Sequence, residues 1–121
     1  MGGMTCADQM QIGLRRCVPH QRLGDALEIM GEENVDWVAV VESHDSSSFL
    51  GWITAQRAAV FLAVFDRRPS EAMCRELITK PPAVLASSED VEEARRTVAR
   101  CGVHRLPVVD DGLLVGAWGL E

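Results

Sequence analysis

The groups in this chain that could do chemistry are four cysteines, three histidines and a scatter of carboxylates and arginines. Cys6, Cys17, Cys74 and Cys101 contain no Cys-x-x-Cys spacing, which speaks against a zinc knuckle and against a thioredoxin-like dithiol. No secretory signal pattern precedes them, so free thiols in a cytoplasmic chain are expected. His104 is a possible proton carrier, yet no serine, cysteine or carboxylate stands beside it in a recognisable arrangement. A metal centre needs roughly three or four converging ligands, and His20, His44 and His104 have no spacing that brings them together. Asp110-Asp111 reads as a turn pair, because aspartate readily hydrogen-bonds its own backbone there. Cys101 reads as a small hydrophobe beside a strand. With no nucleophile–base pair and no paired carboxylates, the sequence argues against an enzyme.

Composition narrows the partners. The formal net charge of -6 disfavours a nucleic-acid backbone, whose binding is driven by lysine and arginine displacing counterions. The pairs Arg15-Arg16, Arg67-Arg68 and Arg95-Arg96 read as solvated surface charges. The longest apolar run, Ala58 to Phe65, is too short to cross a bilayer and is preceded by Gln56 and Arg57. Neither nucleic acid nor membrane is therefore expected as a partner. At 121 residues, 47% of them hydrophobic, the chain has material for one domain or for two small halves sharing a core.

The elements that would position any site follow from periodicity and caps. Thr5-Cys6-Ala7-Asp8 has the spacing of a capping box and predicts a short helix through Met10. Leu23, Ala26, Leu27 and Met30 recur at helical spacing, with Asn34 as the stop. Trp37 to Val41 reads as a strand, Glu42 to Ser48 as a polar loop, and Phe49 to Ile53 as the returning strand. Thr54 then caps a helix from Ala55 to about Asp66 that is apolar on more than one side and needs cover on more than one side. After Pro69, Ser70-Glu71 predicts the start of a helix over 72–78, ended by Pro81-Pro82. Ala83 to Leu85 is extended. Ser88 is expected to cap a helix whose buried stripe is Val91, Ala94 and Val98, with Gly102 as its stop. Asp111-Gly112 between Leu106–Val109 and Leu113–Trp118 is a strong two-residue hairpin signal.

The order of elements repeats. Placing Ala26 on Ala94 brings Cys6 onto Cys74, Asp8 onto Glu76, Met10 onto Ile78, Leu23 onto Val91, Met30 onto Val98 and Val35 onto Val103. Val40-Val41 falls on Val108-Val109, and after an offset change in the hairpin Gly51 meets Gly116. Such internal similarity is read before any motif. It divides the chain into 1–68, a first repeat with a connecting helix, and 69–121, a second repeat lacking its closing helix. The second hairpin then needs another cover, from the first helix, from the Ala55–Phe65 helix or from a second subunit.

Gly102-Val103-His104-Arg105-Leu106-Pro107-Val108-Val109-Asp110, followed by Leu114-Val115-Gly116, resembles the signature of CBS (cystathionine beta-synthase) domains. The first half resembles it more loosely, through Asn34 to Val41 and Leu50-Gly51-Trp52-Ile53-Thr54. The resemblance implies an α/β (α+β-like) fold of tandem CBS domains, a Bateman module, each copy helix-strand-strand-helix and the two related by pseudo-two-fold symmetry. It implies a non-enzymatic regulatory or sensory module, a homodimer acting on an unidentified regulated protein. It also implies an adenosine ligand (AMP, ADP, ATP or another adenosyl compound) in the inter-repeat cleft.

In relatives that bind adenylates, the purine rests on the strand entry, a hydroxyl after the last strand meets the phosphates, and an aspartate three positions on holds the ribose. The positions this selects are Val35, Asp36, Val38, Thr54 and Arg57 in the first copy and Val103, His104, Leu106 and Pro107 in the second. The match is partial. Ala39 replaces the proline in the first copy, Arg57 replaces the aspartate, and Gly119 stands where the second copy needs its hydroxyl. A guanidinium accepts no hydrogen bond from a ribose diol, but near a helix N-terminus it can hold a phosphate bidentately. Three readings stay open: a nucleotide held through its phosphates, another anion, or an empty cleft in a ligand-free dimerisation or protein-interaction module. Trp37 and Trp118 could stack on a base or anchor a dimer.

Overall fold

Asn34 and Gly102, the two residues expected to stop the long amphipathic helices, both adopt left-handed backbone (φ 54° and 69°) in the computed structural model of the chain, which describes residues 3–120. In chain order the elements are α1 (Cys6–Gln9), β1 (Arg16–Cys17), α2 (Leu23–Glu33), β2 (Trp37–Ser43), β3 (Ser46–Thr54), α3 (Ala55–Phe65), a 3-10 turn (Cys74–Glu76), α4 (Val91–Cys101), β4 (Arg105–Asp110) and β5 (Leu113–Gly119). The fold is mixed α+β. The chain packs as two compact units, one of Arg15–Lys80 and one of Met1–Leu14 with Pro81–Glu121. The packing units thus cut the chain at different points from the sequence repeats 1–68 and 69–121, because each repeat's first segment packs in the unit that holds the other repeat's hairpin.

In the unit Arg15–Lys80, β1 runs parallel to β2 (Arg16 opposite Ala39, Cys17 opposite Val40), and β2 runs antiparallel to β3. The buried stripe of α2 (Leu23, Ala26, Ile29, Met30) packs with Val38, Val40 and Ile53. Residues 72–77 close this core with Ala72, Cys74 and Leu77, all fully buried. The Thr79 N–H and C=O exchange hydrogen bonds with Trp52 (3.0 and 2.9 Å) at the edge of β3. Trp37 and Trp52 are both buried, with ring centroids 5.3 Å apart.

Two expectations fail in this unit. Glu42 to Ser48 is not an open loop: β2 continues to Ser43 and β3 starts at Ser46, leaving a two-residue turn of His44-Asp45. Register shifts at Val40/Val41 and Val41/Ser43 interrupt this pairing. The Arg16 guanidinium also donates to the Ser47 hydroxyl (2.9 Å), which satisfies a polar strand end. Residues 72–78 do not form an α-helix either. Their backbone groups are taken up by the lead-in to α2: Cys74 N–H donates to Gln21 (2.9 Å), Arg75 N–H to Pro19 (3.0 Å), and Ala72 C=O accepts from Leu23 (2.8 Å). Only one 3-10 turn remains, tied by the Glu76 carboxylate accepting from Met73 N–H at 2.7 Å.

The other unit repeats these contacts with the roles exchanged. The capping box forms, with Thr5 N–H donating to the Asp8 carboxylate (2.8 Å), and Cys6 and Ala7 donate to the carbonyls of Glu89 and Ser87 (both 2.9 Å). Gln11 pairs with Ala117, and Leu85 with Val108. The first helix and its extension therefore pack on the second hairpin as residues 72–79 pack on the first. Among the described residues of this unit no helix takes the place that α3 has in the other. Asp90, not Ser88, caps α4, its carboxylate accepting from Glu92 N–H at 2.8 Å. Asp111 and Gly112 both have positive φ (50° and 80°), the conformation expected of the β4–β5 turn.

Candidate functional site

Within Arg15–Lys80 the expected site residues gather at one end of the β2–β3 hairpin. The left-handed turn at Asn34 lets Val35 N–H reach back to the Met30 carbonyl (3.0 Å), and the chain enters β2 through Asp36. Opposite, β3 ends at Thr54, paired with Trp37, while Val38 pairs with Ile53. The Asp36 carbonyl accepts from Ala55 N–H (2.9 Å), and the Thr54 hydroxyl accepts from Arg57 N–H (3.1 Å). Strand entry and helix start are thereby stitched together. Arg57 and Asp36 are exposed, Val35 and Thr54 half-buried, and Val38 belongs to the core. The end of α3 that carries Thr54 and Arg57 is the positive end of its dipole, suited to an anion.

Within the other unit, Val103, His104, Leu106 and Pro107 sit at the start of β4, after the Gly102 stop of α4. Leu106 and Pro107 are buried, pairing with Trp118 and Ala117, whereas Val103 is half-buried and His104 exposed. The His104 carbonyl accepts from Leu120 N–H at 2.9 Å. A Cβ on Gly119 would overlap that carbonyl oxygen and Arg105. No side-chain hydroxyl fits this position in the present backbone, so this unit does not reproduce the Thr54–Arg57 arrangement.

A cavity of about 580 Å³ in the same unit is lined by Gln9, Arg95, Trp118, Gly119 and Leu120. The Trp118 indole N–H donates to the Gln9 amide oxygen (3.3 Å). A signal for it was present in the repeat alignment. Gln9 and Arg95 align with Leu77 and Leu27, which in the unit Arg15–Lys80 belong to the core that α3 packs on.

The titratable groups with shifted values are thiols and carboxylates set by burial and hydrogen bonds. All four thiols are free. Burial, reinforced by Glu89 and Asp90, pushes the Cys6 thiol up to about 11. A hydrogen bond with Cys74, together with burial, pushes the Cys17 thiol upward as well. Two hydrogen bonds from Ser87, hydroxyl and N–H, hold the Asp110 carboxyl below its ordinary value. Among the described residues no three or more His, Cys, Asp or Glu side chains converge as a metal site. The histidines nonetheless depart from expectation in one respect: His20 and His44 meet, with ring centroids 5.8 Å apart. No helix among the described residues is long and apolar enough to cross a membrane.

Residues 74–118 match the CBS domain family. An uncharacterized protein of Methanopyrus kandleri is 28% identical over 72% of this chain and 44% of its own length. The chain spans less than half the length of the curated relatives it matches. Among solved structures, CBSX2 of Arabidopsis thaliana in complex with AMP is 26% identical, with TM-score 0.77 over 97% of this chain and 90% of that one. The hexameric CBS-CP12 protein of bloom-forming cyanobacteria is 21% identical, with TM-score 0.73 over 97% of this chain and 68% of that one. Residues 74–118 are therefore a CBS domain, and the fold of the chain is that of a CBS pair.

Proposed function

We propose that the chain is a non-enzymatic sensory module that reads a phosphate-bearing ligand, an adenosine nucleotide first among them, at the Thr54–Arg57 end of α3. The observation that carries this reading is the arrangement itself. An exposed guanidinium sits one turn into an 11-residue helix, beside a strand entry held in place by the Asp36–Ala55 hydrogen bond. A guanidinium at that position favours bidentate phosphate binding, and the dipole adds to it. The AMP complex of CBSX2, which has the same fold, supports a nucleotide as the first ligand to test. Val35 and Asp36, at the strand entry, are the residues we assign to the nucleoside end. In the other unit Val103 and His104 supply the strand entry, with Leu106 and Pro107 as its buried support. The ligand acts by favouring one arrangement of the protein over another, to the extent of its differential affinity.

Calorimetric titration with AMP, ADP, ATP and adenosylmethionine, against adenosine as the phosphate-free control, tests the reading. Phosphate-dependent binding that Arg57→Ala weakens by about tenfold or more is expected, the scale of one charge-assisted contact. Adenosine binding as tightly as AMP, or Arg57→Ala binding like the parent, overturns it.

A second reading has its own observation. Val60, Val64 and Phe65 on α3 are 56%, 68% and 60% exposed, an apolar stripe that calls for a second copy of the chain. The hexameric CBS-CP12 structure shows self-association in a protein of this fold. A homodimer on this face whose mass in light scattering is indifferent to nucleotide, combined with no binding in calorimetry, favours a purely structural assembly unit.

A further inference from the structure

His20 and His44, which no feature of the sequence connects, are held on two separate turns whose backbones are fixed. His20 lies in the turn before α2. The Pro19 carbonyl accepts from Arg75 N–H (3.0 Å), Gln21 N–H donates to Val18 (3.1 Å), and the Gln21 side chain returns to accept from Val18 N–H (2.8 Å). The Gln21 carbonyl is itself engaged, by Cys74 N–H at 2.9 Å. His44 is the first residue of the two-residue turn closed by the Ser43–Ser46 pair. Both side chains are exposed, and their rings meet edge to face at 85° with centroids 5.8 Å apart.

We propose that His20 and His44 form a two-imidazole surface site for a borderline divalent transition-metal ion, zinc being the reference case. Neutral imidazole is the commonest protein ligand for such ions. With metal–nitrogen bonds of about 2.0–2.1 Å, two imidazoles on one ion place their centroids roughly 5–6 Å apart. The observed separation therefore asks for ring rotation about the side-chain bonds and no movement of backbone. The backbones that carry both rings are already held by their turns, so the second ligand adds affinity as an intramolecular partner. The net charge of -6 does not oppose a cation. Since no third His, Cys, Asp or Glu converges among the described residues, water completes the coordination and the ion exchanges with solvent. This site is independent of the nucleotide reading and stands or falls separately.

The test is calorimetric titration of the tag-free, chelator-treated chain with ZnCl2 and with NiCl2, alongside His20→Ala, His44→Ala and the double variant. One ion per chain is expected, with each single variant weakening binding by roughly tenfold or more and the double variant abolishing it at the same concentrations. Saturating zinc is expected to raise the Tm of the parent and not of the double variant, because a ligand of the native state alone stabilises that state. Absence of heat up to millimolar ion, a single variant that binds like the parent, or a double variant that still takes up the ion each overturn the proposal. The last outcome would move the ion to the thiols or to His104. All these substitutions are at exposed turn positions, so a folded variant is the expectation, and circular dichroism of each confirms that loss of binding is not loss of fold.

Discussion

Gly51 lies directly against the carbonyl of Thr79, so that a Cβ on Gly51 would overlap the Thr79 oxygen and crowd the Ile78 side chain. The same relation recurs in the other unit, where a Cβ on Gly116 would come within 2.6 Å of the Gln11 carbonyl oxygen and 3.1 Å of the Met10 sulfur. In both cases the glycine admits a lead-in segment to the outer edge of a hairpin. Gly51→Ala and Gly116→Ala are each expected to cost about 2–4 kcal/mol, since overlap with backbone has no cheap relief. Gly31→Ala, in α2 with nothing within 4 Å of the added carbon, is the control and should stabilise by about 0.5–1 kcal/mol. Urea unfolding of the three variants checks both signs.

The α2 stop at Asn34 depends on left-handed backbone. Asn34→Gly is expected to be neutral or to stabilise slightly, whereas Asn34→Ala should lose about 1 kcal/mol. Comparing the two denaturation midpoints separates a backbone effect from any contribution of the asparagine side chain.

Ser87 fastens the loop before α4 to the end of β4 through Asp110, and both donors favour the ionised carboxylate. A carboxyl whose native pKa lies below its unfolded value, 3.8 here, stabilises the fold above that value. The contribution is lost as pH falls through the lower native pKa. Asp110→Asn should therefore be less stable than the parent at neutral pH and converge with it as the pH falls below 3.8 and through the lowered native pKa. Thermal unfolding across that range is the measurement.

Cys6, Cys17 and Cys74 are fully buried and Cys101 half-buried. A thiol-specific chromogenic reagent at pH 8 is expected to titrate Cys101 alone in the native protein and all four cysteines after denaturation. Because the native Cys6 thiol stays protonated up to about 11 while its ordinary value is 9.0, its contribution to stability is complete below pH 9. That contribution declines as pH rises from there to about 11. Cys6→Ala should remove that part of the alkaline slope.

Phe65→Ala tests the apolar stripe of α3. Phe65 is 60% exposed, so its loss should change the monomer's stability by no more than about 0.5 kcal/mol. If the stripe joins two copies, the same substitution shifts the mass in light scattering toward the monomer.

Much of the candidate site was legible in the sequence. Thr54 and Arg57 are three residues apart at a helix start, a relation that the chain's own spacing sets. Asp36 was selected through the CBS resemblance, and what the structure adds is its carbonyl's hydrogen bond to Ala55 across the hairpin. Val38, Leu106 and Pro107 were selected through the CBS signature, and the structure buries all three. Composition misread 42–48, since a serine-rich stretch can hold strand pairing where its partner is also half-exposed. It misread 72–78 because helical propensity over so short a segment yields to hydrogen-bond partners offered from residues 19–23.

The sequence by itself determined the helix stops at Asn34 and Gly102, the Thr54 cap, the Asp111-Gly112 turn, the duplication and the CBS signature of its second half. Each is a matter of residues within a few positions of one another, or of a pattern written twice. Only the tertiary structure decided that residues 5–11 cover the second hairpin while 72–79 cover the first, and that His20 meets His44. Both lead-in segments carry similar signals, and the choice between hairpins is made by contacts between residues far apart in the chain, such as Gln11 with Ala117 and Thr79 with Trp52. Those contacts gain their energy only once the whole of each core has closed around them.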